Sequence, residues 1–163
     1  MIIRTLALAG GICVGVGASQ FPEYSQQYLQ RLSGATEALG VVVADFDASA
    51  AAEGLSRDSA LDAMVGNDFL ERRQEDMRRA FARYHQLSFY LSDLRNSTAL
   101  DRALSAHRFT DAELSRDTWN DFQPAVPVTI EGAGFAAGGF FVGYVLISLL
   151  FGGLWWGLRR SRA

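Results

Sequence analysis

The residues best suited to metal or acid–base chemistry are few and widely spaced. His85 and His107 are the two histidines, they lie on different predicted helices, and neither a Cys nor an HxxxH spacing accompanies them. A metal site would therefore need several carboxylates to converge by folding. Asp45 and Asp47 could form a carboxylate pair, but side chains two positions apart on a helix point about 200° apart. We predict that both are surface groups and that the chain binds no metal.

Other chemical motifs are equally sparse. No nucleotide-binding, hydrolase or metalloprotease motif occurs in a supporting context. Tyr84 and His85 lie in an aromatic-rich stretch that is more typical of a packed core than of a cofactor site. The apolar segments described below contain no Asp, Glu, His or Arg side chain, and Cys13 is their one thiol, so no proton relay is expected there. Glu131 is predicted to be an interface residue, with a partner contact as the alternative. We predict no catalytic residue, no cofactor and no small-molecule substrate.

Charge is distributed unevenly along the 163 residues, a length that allows one folded unit. All 15 basic residues are arginine, and the net charge is -3. The charges outside residues 20–131 are Arg4, Arg159, Arg160 and Arg162, so all 18 acidic residues fall in the middle. An acidic middle segment argues against a nucleic-acid partner, since such binding needs a clustered basic surface.

The C-terminal part of the sequence predicts a transmembrane helix. Residues 132–158 form an uncharged run of 27 residues, and about 20 suffice to cross a bilayer. Trp155 and Trp156 precede Arg159 and Arg160, which is typical of an aromatic anchor followed by a cytoplasmic positive cluster. We therefore predict that this end lies in the cytoplasm and that the preceding segment lies outside.

The N-terminus permits two interpretations. The 15 residues 5–19 that follow Arg4 are uncharged, which suits a cleaved signal peptide with small residues at 16–18 before the cleavage point. Alternatively, small residues recur every four positions and form one face of a retained membrane helix, for which the distal span offers two GxxxG motifs as partners. We favour retention. The predicted helix-packing or partner-contact residues are Ala7, Gly11, Gly15, Ser19, Gly139, Gly143, Gly153 and Gly157.

The middle segment predicts a long helical hairpin. Apolar or small residues follow alternating steps of three and four over 29–50 and again over 77–98, which is heptad spacing. Two such seams joined by a short connector should form an antiparallel coiled-coil-like hairpin. The predicted core residues are Leu29, Leu32, Leu39, Val43, Phe46, Met77, Tyr84, Leu87, Leu91 and Leu94.

Capping signals predict shorter helices around the hairpin. Ser56 should begin a helix that runs to Val65, and Asn67 should cap the next. A helix is expected from Asn96 and Ser97 to about His107, and a capping box at 110–113 should begin another that ends near Phe122. The predicted organisation is an N-terminal transmembrane helix at 1–19, a periplasmic hairpin region at 20–128, a C-terminal transmembrane helix at 129–158 and a cytoplasmic basic tail at 159–163.

Several segments spread along the chain carry a resemblance to a known family. They are RTLALAGG at 4–11, SQFPEYSQQYLQRL at 19–32, VADFD at 43–47, RFTDAE at 108–113 and DFQPAVP at 121–127. Together they resemble a proteobacterial family of two-span membrane proteins that is known as a domain of unknown function. The resemblance implies an inner-membrane protein with a periplasmic middle, and it favours retention of the N-terminal helix. It implies no catalytic residue or ligand.

The combined pattern predicts an all-α, multi-pass inner-membrane protein with both termini in the cytoplasm. A long amphipathic hairpin and small-residue spans suit contacts, so we expect a non-enzymatic accessory, assembly or scaffold subunit of a larger membrane complex, with an energy-transducing complex as one candidate. Its partners would be membrane lipids and other integral membrane proteins, or further copies of itself. The alternative is a homo-oligomer that forms a pore or organises the membrane. An enzyme acting on lipid or cell wall would need convergent polar residues that the sequence lacks.

Overall fold

The computed structural model describes the backbone of residues 2–105, 109, 111–126 and 128–160, and the side chains at these positions except 2, 3 and 153–160. Within these residues all regular structure is α-helical, as predicted, and the strand-like run at 41–43 lies inside a helix. The helices are α1 (Ile2–Ser19), α2 (Phe21–Ala52), α3 (Arg57–Asp62), α4 (Asp68–Arg95), α5 (Ala99–Leu104), α6 (Ala112–Asn120) and α7 (Ile130–Arg160).

The chain divides into two compact units. The span unit comprises the residues up to Gln26 together with those from Trp119 onward, and it contains α1 and α7. The middle unit comprises Gln27–Thr118 and contains most of α2 together with α3, α4 and α5. Each unit is described separately below.

Side-chain caps set the boundaries of the helices in the connector between α2 and α4. Ser56 Oγ accepts a hydrogen bond from Ser59 N, and Asn67 Oδ1 accepts from two backbone amides at the start of α4, so both predicted N-caps are confirmed. Gly54 and Gly66 have φ angles of 68° and 113°, which glycine adopts without the strain of a side chain. The prediction that α3 reaches Val65 is wrong, because the helix ends at Asp62.

The helix that follows α4 starts later than predicted. Thr98, rather than Asn96 or Ser97, is its N-cap, and Thr98 and Asp101 bond each other's backbone amides in a capping box. Asn96 instead caps the C-terminus of α4. The helix ends at Leu104, and the predicted end at His107 lies outside the described residues.

The start and the end of α6 also differ from the prediction. Asp111 Oδ1 accepts a hydrogen bond from Leu114 N at 3.0 Å, so Asp111 acts as the N-cap. Thr110, the predicted cap, lies outside the described residues. The helix ends at Asn120 rather than near Phe122. Thr129 Oγ1 accepts from Gly132 N at the start of α7.

The middle unit has two apolar clusters, and each contains residues of α2 and α4. Position 32 of α2 shares a cluster with 87–94 of α4, whereas position 43 shares the other with 77 and 81, so the pairing runs in opposite order along the two helices. The first cluster comprises Tyr28, Leu32, Leu87, Leu91, Leu94 and Leu114, flanked by Leu29, Ala35, Leu39, Tyr90 and Phe109. The second comprises Val43, Leu61, Met77 and Phe81, flanked by Phe46, Met64 and Tyr84.

All ten predicted hairpin-core residues are in these clusters, but the most buried aromatic side chain is not among them. Tyr28 is fully buried, with its ring centroid 4.8 Å from that of Phe109. Phe81 is also buried and lies edge-on to Phe46, with 5.3 Å between ring centroids. Tyr28 precedes the predicted core residue Leu29, and Phe81 follows heptad position 80. A long aromatic side chain can reach the core from a position beside the heptad line.

Candidate functional site

The closest helix contact in the span unit is between glycine-rich faces of α1 and α7. A Cβ atom added to Gly15 would lie 2.7 Å from the carbonyl oxygen of Ala136, and one added to Gly139 would lie 2.6 Å from Cβ of Ala18. Both distances are far below the 3.5–4.0 Å at which carbon atoms attract each other best. The two backbones therefore touch at positions where other residues would hold them apart.

The contacts have an antiparallel order along the two helices. Gly11 faces Phe140 and Gly143, whereas Gly15, further along α1, faces Gly139. The structure therefore brings together the first GxxxG motif of α7, Gly139 to Gly143, and the face of small residues on α1. We call Gly139 and Gly143 the proximal pair and Gly153 and Gly157 the distal pair. Ala7 is fully buried, and Ser19 is 5% exposed at the opposite end of the helix.

The outer faces of the same helices are apolar. Two helical segments are long and apolar enough to cross a membrane by length and composition: Arg4–Ala52, which begins near the N-terminus, and Ile130–Gly152. Large apolar side chains on these segments are exposed, which suits a lipid environment. Among them are Leu6, Leu8, Ile12 and Val16 of α1 and Phe141, Val142, Leu146, Leu149 and Leu150 of α7.

Comparison with protein families gives one match that covers nearly the whole chain. The model of the family described as "Protein of unknown function (DUF2937)" matches residues 2–160, which include all seven helices. The chain belongs to the DUF2937 family. Comparisons with curated proteins and with solved structures found no match. The roles of residues in this DUF2937 protein must therefore be inferred from its own geometry.

The remaining predicted packing and anchor positions lie in the last turns of α7. Gly153 and Gly157 belong to the helical backbone, as do Trp155, Trp156 and Arg159, but their side-chain environment is outside the described part of the chain. The same holds for Arg160. Gly152, just before them, would bring an added Cβ within 4 Å of no other atom. The structure thus gives the DUF2937 chain a packed proximal glycine pair and leaves the distal pair as a prediction.

A polar link at the end of α1 was not predicted from the sequence. Ser19 Oγ donates to the carbonyl of Val16 at 2.7 Å, and it accepts from Gln20 Nε2 at 3.2 Å. Gln20 Oε1 in turn accepts from Ala125 N at 3.1 Å. Gln20, the single residue between α1 and α2, therefore ties the end of α1 to the segment that precedes α7.

Among the candidate acid–base residues, Asp47 forms an ion pair with Arg57. Asp47 accepts hydrogen bonds from Arg57 Nε at 2.8 Å and from Arg57 Nη2 at 2.5 Å. These bonds hold the pKa of Asp47 below its ordinary value. Asp45 and His85 are exposed, and His107 lies outside the described residues. Among the residues described, no three His, Cys, Asp or Glu side chains are grouped as a metal would require.

A second ion pair joins α4 to the start of α6. Arg83 donates to Asp111, whose side chain is 3% exposed, and Arg83 Nη2 lies 3.7 Å from Glu113. Burial raises the pKa of Asp111, but hydrogen bonds from Arg83 and from the amide of Leu114 outweigh burial and leave it below the ordinary value. Sequence patterns cannot reveal this pair, because its members are 28 positions apart. Within the middle unit, the pair fastens the start of α6 to α4.

A surface groove runs between α2 and α4 of the middle unit. Its volume is about 500 Å³, and it has Glu37 on one helix and Arg95 on the other. Tyr84 packs against Gly40 within it, since an added Cβ there would lie 3.2 Å from the Tyr84 ring. The lining residues are Ser33, Thr36, Glu37, Gly40, Val41, Ala44, Tyr84, Leu91 and Arg95. The groove thus combines small, apolar and hydroxyl-bearing side chains with one acidic and one basic residue.

Proposed function

We propose that this DUF2937 chain is an integral protein of the bacterial inner membrane, with α1 and α7 as its two spans. Both termini are in the cytoplasm and residues 20–128 are in the periplasm. The antiparallel contact supports this topology, because it puts Arg4 and the basic end of α7 at the same end of the helix pair. Positive residues favour the cytoplasmic side of a membrane.

The periplasmic part in this proposal is the antiparallel coiled-coil-like hairpin of α2 and α4. The two apolar clusters support it, since each joins the two helices and their order is reversed along the chain. The Asp47 ion pair with Arg57 supports it at the connector, where it holds α3 against the end of α2.

The role we propose is that of a non-enzymatic accessory, assembly or scaffold subunit of a larger inner-membrane complex. The groove between α2 and α4 carries this proposal. Val41 lines it with 57% of its surface exposed, and a groove that combines exposed apolar, hydroxyl and charged side chains suits an amphipathic helix of another protein.

The test is co-purification from membranes in mild detergent, followed by mass spectrometry. Val41→Arg introduces a charge into the groove, whereas Val65→Arg changes a valine of equal exposure, 57%, outside the groove lining. The proposal requires a defined set of membrane proteins to be lost with Val41→Arg and kept with Val65→Arg. A wild-type chain that runs as a lone monomer would contradict it, as would equal behaviour of the two variants.

Glycine faces have two separate roles in this proposal. Gly139 and Gly143 contact α1 and so join the two spans of one chain. Gly153 and Gly157 remain for a neighbouring membrane helix. Replacing Gly153 by Leu should therefore reduce association with partners while the amount of protein in the membrane is unchanged. Unchanged co-purification would assign the distal glycines to lipid contact instead.

A further inference from the structure

Exposed apolar residues also occur outside the two spans, in the segment between α6 and α7. Trp119 is 70% exposed, and Val128 and Ile130 are each 90% exposed. Exposure of so much apolar surface to water in one short segment would be unfavourable. We call this surface the collar and define it as Trp119, Phe122, Val126, Val128 and Ile130.

Contacts within the span unit hold the collar in place. The ring of Tyr24 lies edge-on to those of Trp119 and Phe122, with centroid distances of 6.1 and 5.8 Å. Between the aromatic residues and α7, the hydrogen bond from Ala125 N to Gln20 fixes the segment to the end of α1. The collar is thus attached to the helix ends by both rings and backbone.

The collar lies beside the C-terminus of α1 and the N-terminus of α7. The helix α1 ends at Ser19 and α7 begins at Ile130, and just beyond these points Phe21 stacks on Phe135 with 5.7 Å between ring centroids. Ile130, the first residue of α7, is itself part of the collar, so the collar adjoins this end of the helix. Tryptophan and tyrosine favour the boundary between lipid headgroups and acyl chains, where an apolar ring with one polar atom is best accommodated.

The charged residues beside the collar indicate which lipid headgroups it can contact. The flanking charged residues are acidic: Glu23, Asp121 and Glu131, and residues 20–26 and 119–131 contain no arginine. Anionic lipids attract basic segments, so their headgroups would repel this one. The matching surface has zwitterionic headgroups.

We propose that the collar is a third membrane contact, immersed in the headgroup–acyl boundary of zwitterionic lipids on the side where α1 ends and α7 begins. This inference rests on the proposed membrane location of the two helices. It adds that Trp119 and its neighbours contact lipid rather than water or a protein partner. The collar then fixes the height and rotation of the span unit in the bilayer.

Tryptophan fluorescence of the full chain in phosphatidylcholine vesicles tests the proposal. The double variant Trp155→Phe, Trp156→Phe retains Trp119 as the sole tryptophan, because the chain has three. We expect its emission to be blue-shifted and quenched by lipids brominated near the headgroup, with little quenching by aqueous iodide. Quenching by iodide without quenching by brominated lipid would overturn the proposal. Shielding from both quenchers would also overturn it, by showing that protein covers the collar.

The variant Trp119→Phe is the matched control, since it reports on the two tryptophans near the end of α7. If brominated lipid quenches this control but fails to quench Trp119, the collar inference fails while the proposed membrane insertion stands. If it quenches neither, the membrane insertion itself fails. Addition of phosphatidylglycerol should weaken the quenching of Trp119, because anionic headgroups repel the acidic residues beside the collar, and unchanged or stronger quenching would overturn the choice of zwitterionic lipid.

Discussion

Two adjacent glycines of α7 allow the helix contact to be tested with a near-perfect control. In Gly139→Ala the new Cβ would lie 2.6 Å from Cβ of Ala18 and 3.0 Å from the carbonyl oxygen of Val14, whereas in Gly138→Ala it would meet no atom within 4 Å. Contact at 3.5–4.0 Å would require the helices to move apart by about 1 Å, which forfeits a quarter to a half of the dispersion energy at the contact. Overpacking of this kind costs about 1–3 kcal/mol.

Both substitutions remove a helical glycine and gain up to about 1 kcal/mol in helix propensity, so their difference isolates the interface. We expect Gly139→Ala to be less stable than Gly138→Ala by about 1–3 kcal/mol. The assay is unfolding of the full chain in dodecylmaltoside by added dodecyl sulfate, followed by far-UV circular dichroism. Equal midpoints for the two variants would refute the reasoning, because they would show that α1 and α7 are not in backbone contact at Gly139.

Further predictions concern the middle unit and the topology. Asp111→Asn keeps a capping side chain but loses the charge-assisted hydrogen bond with Arg83. It should lower the free energy of unfolding, measured by thermal denaturation, by about 1.5–3 kcal/mol, and Asp111→Ala should lower it by about 1 kcal/mol more. Because the pKa of Asp111 is lowered in the folded chain, its stabilisation is complete above the unfolded value of about 3.9 and is lost as the pH falls through the folded value, so Asp111→Asn should flatten the acid-unfolding curve. Leu87→Asp should abolish cooperative unfolding, since Leu87 is 1% exposed, while His85→Ala should change the midpoint little; equal effects would contradict the assigned core. Alkaline phosphatase fused near Gly66 should be active and fused at Ala163 inactive, and the reverse pattern would overturn the topology.

Periodic features of the fold could be predicted from the sequence, because helices repeat along the chain. The heptad positions from Leu29 to Leu94 identified residues of both apolar clusters. Four-residue spacing identified Gly11 and Gly15 as one face of α1, which does contact α7. Side chains at Ser56 and Asn67 identified helix starts, since an N-cap bonds amides only two or three residues away.

Features that depend on distant residues could not be predicted in this way. The partner of Arg83 is Asp111, and the partner of Gln20 is Ala125, and no local pattern relates either pair. The heptad pattern runs through Leu29 and so does not indicate the buried Tyr28, although a large ring beside the heptad line is itself a signal of burial. The collar could not be predicted from the sequence, because Val126 and Val128 lie outside the helices and follow no helical periodicity. Exposure of such residues becomes informative only when the ends of α1 and α7 are located.

The pairing of α1 with α7 has a consequence for the order in which the protein is made. Gly15 is synthesised about 120 residues before Gly139, and at 5–20 residues per second this interval lasts roughly 6–24 s. In the proposed topology, the small face of α1 lies in the bilayer during that time without α7, the helix that covers it in the folded chain. Any other nascent helix with a small face competes for it in the same interval. In this topology α1 is therefore without its partner until α7 is synthesised. Whether the two helices pair depends on which other helices are inserted nearby in that interval.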